Sequence, residues 1–283
     1  MDEIVTIDGI KVRYDVEGTG DPILLIHGPG VGRSIWKQFI SEASGMFKVY
    51  AIDLPGFGNS DAPKDLPYSI GFYVDFLLKF MNELGISKAN VTGSSMGGMI
   101  VADMASIYPH RVTKIALIAP AGLSPMRSKF SSISRRKLRG VSFWLMSINR
   151  GLFRKFYEDF FYDRKKIPEG LVNEAWGRMK DPGYRKALMK NSLLMAARDD
   201  QFEESLSSIK SRTLIMWGAE DRIVPVADAD RFSSSIKRSE VKILENCGHM
   251  VLADQGELCT KSVLTFFGQV DLYYANEEVL STG

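Results

Sequence analysis

Short apolar runs of four to six residues alternate along this chain with longer stretches in which apolar residues recur every three or four positions. The short runs predict buried strands, and the longer stretches predict amphipathic helices. Because strands and helices alternate, the pattern indicates a mostly parallel sheet with helices on both faces. Residues 3–7 and 11–14 flank an Asp8-Gly9 pair, which predicts an antiparallel hairpin. Further strands are predicted at 23–26, 48–52, 88–92, 114–119, 213–218 and 241–244, and helices at 35–43, 69–84, 98–108, 227–236 and 256–267.

The alternation stops between residues 124 and 210. Strand-like runs give way there to bulky apolar residues with helical spacing. We therefore expect a helical cap of residues 124–210, inserted into a core formed by residues 1–123 and 211–283. A cap above the carboxyl ends of the strands would exclude water and shape a pocket. Helical runs are predicted in the cap at 141–146, 153–162, 171–179 and 184–197, and a loose tail is predicted from Asp271 onward.

The composition is that of an ordinary soluble globular protein. Hydrophobic residues make up 45% and charged residues 25% of the 283 residues, and no apolar run approaches the length of a membrane span. The acidic start Met1-Asp2-Glu3 is not followed by a signal core, so we expect a cytoplasmic protein. Cys247 and Cys259 fit free thiols in a reducing compartment. The Cys and His spacing does not suggest a metal site, we expect no cofactor, and a homodimer is one expectation for the oligomeric state.

The formal net charge is only +2, but basic residues are concentrated in the predicted cap. Lys and Arg outnumber Asp and Glu between residues 124 and 210, whereas the rest of the chain has an acidic excess. A basic region indicates either an acidic partner, a membrane surface or a solvated helical surface. Here the basic residues are scattered among aromatic residues and methionines, which favours the solvated surface. No nucleic-acid-binding motif accompanies them, so we expect no nucleic-acid partner.

The sequence Gly93-Ser94-Ser95-Met96-Gly97 has the pattern G-x-S-x-G and stands between a predicted strand and a predicted helix. In that context the pattern indicates a strained strand-to-helix turn that exposes a serine hydroxyl above the sheet. The small residues on both sides of the serine let the turn close. We therefore predict Ser95 as a nucleophile, and the Met96 N–H at the helix start as a donor to a developing oxyanion.

A serine becomes a good nucleophile only when a base takes its proton, and the chain has three histidines. His249 follows the last predicted strand, where this kind of site carries its base, so we predict His249 for that role. His27 ends an early strand and is expected to shape the loop behind the nucleophile. His110 lies at the exit of a helix and is expected at the surface.

The acid that orients the imidazole is predicted in the loop after residues 213–218, where catalytic groups of open α/β sheets collect. That loop reads Ala219-Glu220-Asp221-Arg222. We predict Asp221 as the acid, with the adjacent Glu220 as its rival. The loop after residues 114–119 has no carboxylate, which favours the later loop.

Together these motifs resemble those of the α/β-hydrolase fold family. The resemblance runs from about residue 4 to residue 267 and rests on His27-Gly28, DLPGFGNS from residue 53, GSSMGG, GAEDRIVP from residue 218 and CGHM from residue 247. It implies an α/β fold with a mostly parallel, eight-stranded sheet flanked by helices and an inserted helical cap. Within the family, the chain looks similar to the C–C bond hydrolases of ring-cleavage products and to small serine esterases.

The resemblance also implies a second oxyanion donor, the backbone N–H two residues after the loop histidine. That position is Pro29, which has no N–H. Either the loop shifts so that Gly30 donates, or a side chain or water substitutes, or the hole is half built. Loss of one donor costs roughly a hundredfold to a thousandfold in turnover. We favour Gly30 as the second donor.

We expect this chain to hydrolyse carboxylic esters of small to medium apolar acyl groups through an acyl-enzyme. The ring-product hydrolases commonly carry Trp after the catalytic His and an Arg in the cap. Here Met250 follows His249, and residues 170–176 contain no Arg, although Arg178 is nearby. An apolar pocket and an ester substrate are therefore favoured. A C–C bond hydrolase or another serine hydrolase, such as a lactonase or peptidase, is the alternative, and a non-catalytic binding or signalling protein is the second alternative.

Overall fold

The computed structural model describes residues 1–125, 145–165, 167–195 and 200–269. Residues 141–144 of a predicted helix and the tail predicted from Asp271 lie outside these ranges. Eight strands form one sheet: β1 (Asp2–Ile7), β2 (Ile10–Glu17), β3 (Pro22–Ile26), β4 (Lys48–Ile52), β5 (Ala89–Ser94), β6 (Val112–Ile118), β7 (Arg212–Gly218) and β8 (Ser239–Leu244). The described helices include α1 (Lys37–Ala43), α2 (Ile70–Glu83), α3 (Met96–Ile107), α4 (Arg150–Tyr157), α5 (Glu169–Arg178), α6 (Pro182–Met195), α7 (Asp200–Ser205), α8 (Asp228–Ser235), α9 (Val251–Asp254) and α10 (Gly256–Gly268).

The strands follow the order β1-β2-β4-β3-β5-β6-β7-β8. Strand β2 runs antiparallel to both of its neighbours, and all other pairs are parallel. The predicted hairpin forms, because Asp8 and Gly9 adopt the positive φ angles of 51° and 78° that a tight primed turn requires. The prediction of a mostly parallel, eight-stranded sheet flanked by helices is confirmed.

The carboxyl ends of β3 and β5 border the crevice in which the predicted site lies. Strand β3 pairs with β4 on one side and with β5 on the other. The connections after β3 and β5 therefore leave the sheet in opposite directions, and such a switch point opens a crevice beyond the strand ends. The loop of Gly28 follows β3, and Ser95 follows β5.

Buried apolar faces attach the helices to the sheet. In α2, Ser69 precedes the first turn and its hydroxyl accepts the Phe72 N–H at 3.2 Å, which caps the helix start. The residues Tyr73, Leu77 and Phe80 recur at helical spacing and are fully buried. The helix predicted at residues 69–84 is therefore confirmed to within one residue at each end.

Between β6 and β7 the described residues form helices and no strand. The helical run predicted for residues 153–162 is wrong at its end, because α4 stops at Tyr157 and a 3₁₀ turn covers Glu158–Phe160. Phe161 is extended, and the Phe160 carbonyl accepts the Met250 N–H at 2.9 Å instead of closing a helical turn. The cap boundaries 124–210 stay a prediction. Among the described residues, no helix combines the length and apolar character needed to cross a bilayer.

Candidate active site

Ser95 stands on the sharp turn between β5 and α3. Its φ of 56° and ψ of −119° are unusual for a residue with a side chain, and local strain of this kind is common at functional turns. Glycine on each side is a steric requirement. A Cβ on Gly93 would lie 2.2 Å from the Gly97 carbonyl oxygen, and a Cβ on Gly97 would lie 2.3 Å from the Ile26 carbonyl oxygen. The close backbone packing predicted around Ser95 is therefore present.

The structure brings Ser95, His249 and Asp221 together as a hydrogen-bonded chain. His249 Nε2 lies 2.9 Å from Ser95 Oγ, and His249 Nδ1 lies 2.7 Å from Asp221 Oδ2. All three side chains are buried, with Ser95 at 6% exposed. An anionic carboxylate beside Nδ1 favours the tautomer with a proton there, which leaves Nε2 free to accept the serine proton.

The acid loop holds Asp221 by its own backbone. Asp221 Oδ1 accepts the N–H groups of Ile223 and Val224 at 2.8 and 2.9 Å. The rival Glu220 points elsewhere, since its Oε2 accepts the Cys247 N–H at 2.9 Å and so supports the backbone of the base loop. The two adjacent carboxylates therefore have separate positions, and only Asp221 contacts the imidazole.

His27 is fully buried and both ring nitrogens bond within the protein. Its Nε2 accepts the Leu54 N–H at 3.0 Å, so the proton resides on Nδ1, which donates to the Gly28 carbonyl at 2.6 Å. Burial lowers the pKa of His27 below its usual value. The ring thus fixes the loop behind Ser95, as the sequence predicts, and its lowered pKa favours the neutral form.

The predicted oxyanion donors lie on two segments that border Ser95. Met96 begins α3, so its N–H is one of the unpaired donors at a helix start. Gly30 is buried and has a φ of 80°, and its carbonyl accepts the Tyr157 hydroxyl. Neither the Met96 nor the Gly30 N–H has an acceptor in the part of the chain that the structure describes. The assignment of both as oxyanion donors stays a prediction.

A cavity of about 50 Å³ opens above Ser95. Apolar and aromatic side chains dominate its wall, and His249 supplies the only titratable group besides the Tyr157 phenol among the described lining residues. In the part of the chain that the structure describes, His, Cys, Asp and Glu side chains form no cluster placed to hold a metal ion. The lining residues are Gly28, Pro29, Gly30, Val31, Ile35, Ser94, Ser95, Phe153, Phe156, Tyr157, Phe160, Leu188, Ser192, Met195, His249 and Met250.

Sequence reasoning missed the part that Tyr157 and Phe160 take in the site. The Tyr157 hydroxyl donates to Gly30, and the Phe160 ring packs edge-on against the His249 ring with centroids 5.7 Å apart. The dense aromatic content of residues 153–162 is the only signal of this in the sequence. It does not separate residues that face the site from those that hold the helices together.

The similarity to known proteins extends over nearly the whole chain. A family model described as alpha/beta hydrolase fold matches residues 21–255. The chain is 26% identical over 278 residues to a 2-hydroxy-6-oxo-2,4-heptadienoate hydrolase of Pseudomonas putida, covering 95% of this chain and 96% of that protein. A solved meta-cleavage product hydrolase from Pseudomonas fluorescens superposes with a TM-score of 0.81 at 26% identity, covering 94% of this chain and 97% of the other. A solved membrane phospholipase A superposes with a TM-score of 0.82 at 27% identity, covering 94% and 85%.

Proposed function

This chain belongs to the α/β-hydrolase fold family, and on that premise we propose that it is a serine hydrolase that cleaves a carbon–carbon bond beside a ketone. The substrate class is a 2-hydroxy-6-oxo dienoate with an apolar acyl end. The observation that carries the proposal is the bonded chain Ser95–His249–Asp221 under an apolar cavity, in a protein whose full-length relative is such a hydrolase. The ester substrate that the sequence ranked first becomes the second candidate.

In the proposed reaction, Ser95 Oγ attacks the ketone carbon while His249 Nε2 takes the serine proton. Asp221 stabilises the resulting imidazolium. The tetrahedral oxygen accepts hydrogen bonds from the Met96 and Gly30 N–H groups. His249 returns its proton to the leaving carbon as the C–C bond breaks, which leaves an acyl group on Ser95. His249 then activates a water that releases the acyl group as a carboxylic acid.

The cavity wall favours an apolar acyl group. Phe153, Phe156, Leu188 and Met195 belong to the helices between β6 and β7 and line the space above Ser95. An apolar wall offers no compensation for a buried charge, so a charged acyl end would be costly there. We propose that residues 124–210, which include these helices, form the cap that excludes water during the reaction.

An ester hydrolase is the second candidate, and two observations support it. The described residues that line the cavity include no Lys or Arg to neutralise the carboxylate of a dienoate. An uncharged ester needs no such partner. The superposition on a phospholipase A, which belongs to a class that cleaves esters, supports the same reading.

Turnover of the two substrate classes decides between the candidates. We expect kcat/KM for 2-hydroxy-6-oxohepta-2,4-dienoate, followed by loss of its absorbance, to exceed that for nitrophenyl butyrate by about tenfold or more, a ratio worth about 1.4 kcal/mol of transition-state binding. Ser95→Ala should abolish both reactions. Faster ester turnover would favour the second candidate. Equal rates for the wild type and the alanine variant on both substrates would leave the non-catalytic alternative.

A further inference from the structure

The loop after β3 lacks a backbone N–H at Pro29, and the next residue is a glycine with a wide range of backbone conformations. Pro29 removes the N–H at the position where the family resemblance implies a donor, and Gly30 follows with a φ of 80°. A glycine visits many backbone conformations, so the peptide plane between Gly30 and Val31 needs an outside contact to fix it. The carbonyl of this plane faces Tyr157, and the φ and ψ angles of Gly30 that fix its direction also fix the Gly30 N–H relative to it.

Tyr157 supplies that contact from the end of α4. Its hydroxyl is buried and donates to the Gly30 carbonyl. Burial raises the pKa of Tyr157 well above its usual value, so the phenol keeps its proton and stays a donor. Gly30 and Tyr157 are closely packed, because a Cβ on residue 30 would lie 3.2 Å from the Tyr157 hydroxyl oxygen.

The residues that follow Tyr157 contact the other two loops of the site. The Phe160 carbonyl accepts the Met250 N–H at 2.9 Å, next to His249 in the base loop. The Phe161 carbonyl accepts the Arg222 guanidinium at 2.9 Å, next to Asp221 in the acid loop. Residues 157–161 therefore bond to all three loops that surround Ser95.

We propose that Tyr157 is a positioning residue that holds the oxyanion loop in its donating form. By binding the Gly30 carbonyl, its hydroxyl fixes the backbone conformation of Gly30 and so the direction in which the Gly30 N–H donates. The inference rests on the proposed function, since it concerns the same serine reaction. The donor that Pro29 cannot supply then comes from Gly30, and the conformation of this loop depends on Tyr157 at the end of α4.

The test removes the hydroxyl alone, by Tyr157→Phe. We expect kcat to fall about 10- to 100-fold with KM within about twofold, because the oxyanion donor is used only in the transition state. The affinity of a trifluoromethyl ketone, which forms a hemiketal oxyanion on Ser95, should fall by the same factor. The matched control is Tyr184→Phe, a nearby tyrosine that is 1% exposed and whose hydroxyl has no hydrogen-bond partner within the described chain. That variant should leave kcat, KM and inhibitor affinity unchanged.

Parallel losses of kcat, substrate affinity and Tm in Tyr157→Phe would show a merely structural role and overturn the inference. Equal kcat and equal inhibitor affinity in Tyr157→Phe and Tyr184→Phe would overturn it as well. If the wild type hydrolyses neither substrate class, the proposed function fails on its own. The ketone affinity still decides the role of Tyr157 in that case, because adduct formation needs Ser95 and the oxyanion donors but no turnover, and equal affinity of the wild type and Tyr157→Phe would overturn the inference.

Discussion

Two neighbouring carboxylates, Asp221 and Glu220, divide two tasks at the carboxyl end of β7. Asp221 accepts from the imidazole and from its own loop backbone, whereas Glu220 accepts a backbone N–H of the base loop. In the sequence, the position of the loop after the apolar run 213–218 and the lack of a carboxylate after residues 114–119 indicated this loop and favoured Asp221. The sequence could not settle which of two adjacent acids faces the histidine, because that depends on the twist of a turn and on where Cys247 lies.

Replacing each acid by its amide separates these tasks. Asp221→Asn should lower kcat by about 10³- to 10⁴-fold, because an amide no longer stabilises the imidazolium and favours the wrong tautomer. Glu220→Gln keeps an oxygen that accepts the Cys247 N–H, so kcat should fall less than about tenfold. Steady-state kinetics on the preferred substrate measures both. A larger loss in Glu220→Gln than in Asp221→Asn would contradict the assignment.

Elements follow the sequence pattern where local propensity and tertiary pairing agree. The strand predicted at residues 88–92 continues to Ser94, because Gly93 and Ser94 pair with Leu117 and Ile118 of β6. Glycine and serine are poor strand formers, so only the neighbouring strand reveals this extension. The helix predicted to reach residue 162 ends at Tyr157 instead. The carbonyls of Phe160 and Phe161 bond to the base loop and the acid loop, which are distant in sequence.

The short helix α9 follows the base loop and carries a carboxylate that joins it to the residues between β6 and β7. Asp254 Oδ2 accepts the Gly248 N–H at 2.8 Å and the Tyr162 N–H at 2.9 Å. Burial raises the pKa of Asp254 above its usual value of 3.8, and the two N–H bonds only partly offset this. The carboxylate therefore links two segments next to His249 at some cost in desolvation.

The raised pKa predicts how stability depends on pH at this link. Between pH 3.8 and the raised value the folded state binds more protons at Asp254 than the unfolded state, so this group's contribution to stability falls as pH rises. The free energy of unfolding of the wild type relative to Asp254→Asn should therefore decrease from pH 4 to pH 7 in urea titrations. The matched control is Asp65→Asn, which removes an exposed loop carboxylate. The same pH course in both variants would contradict the prediction.

At the scale of the whole molecule, the site is built from two layers with different predictability. The core layer, formed by the loops that follow the strands, supplies the hydrogen-bonded chain of Ser95, His249 and Asp221. Each of these three residues follows a strand that the apolar pattern locates. The upper layer consists of the helices between β6 and β7, which contribute to the wall of the cavity. Periodicity predicts these helices but not which of their faces points toward Ser95. The reaction is therefore easier to derive from sequence than the substrate. This difference explains why the sequence alone favoured an ester substrate, whereas the relatives favour cleavage of a C–C bond.

Leu188 tests the idea that the upper layer selects the acyl group. It lies in α6 with its side chain on the cavity, and a Cβ on Gly30 would lie 3.7 Å from its Cδ1. Leu188→Ala should enlarge the space above Ser95 and raise the preference for a phenyl over a methyl acyl end by about tenfold, since a few methylenes in an apolar pocket change selectivity by that order.

The matched control is Leu152→Ala, because Leu152 belongs to α4, is 41% exposed and does not line the cavity. It should leave the ratio of kcat/KM for the two dienoates unchanged. If Leu188→Ala instead lowered both rates equally, the wall would act only by excluding water. In that case acyl selection would belong to the core layer, where Ile35 and Val31 reach the same space.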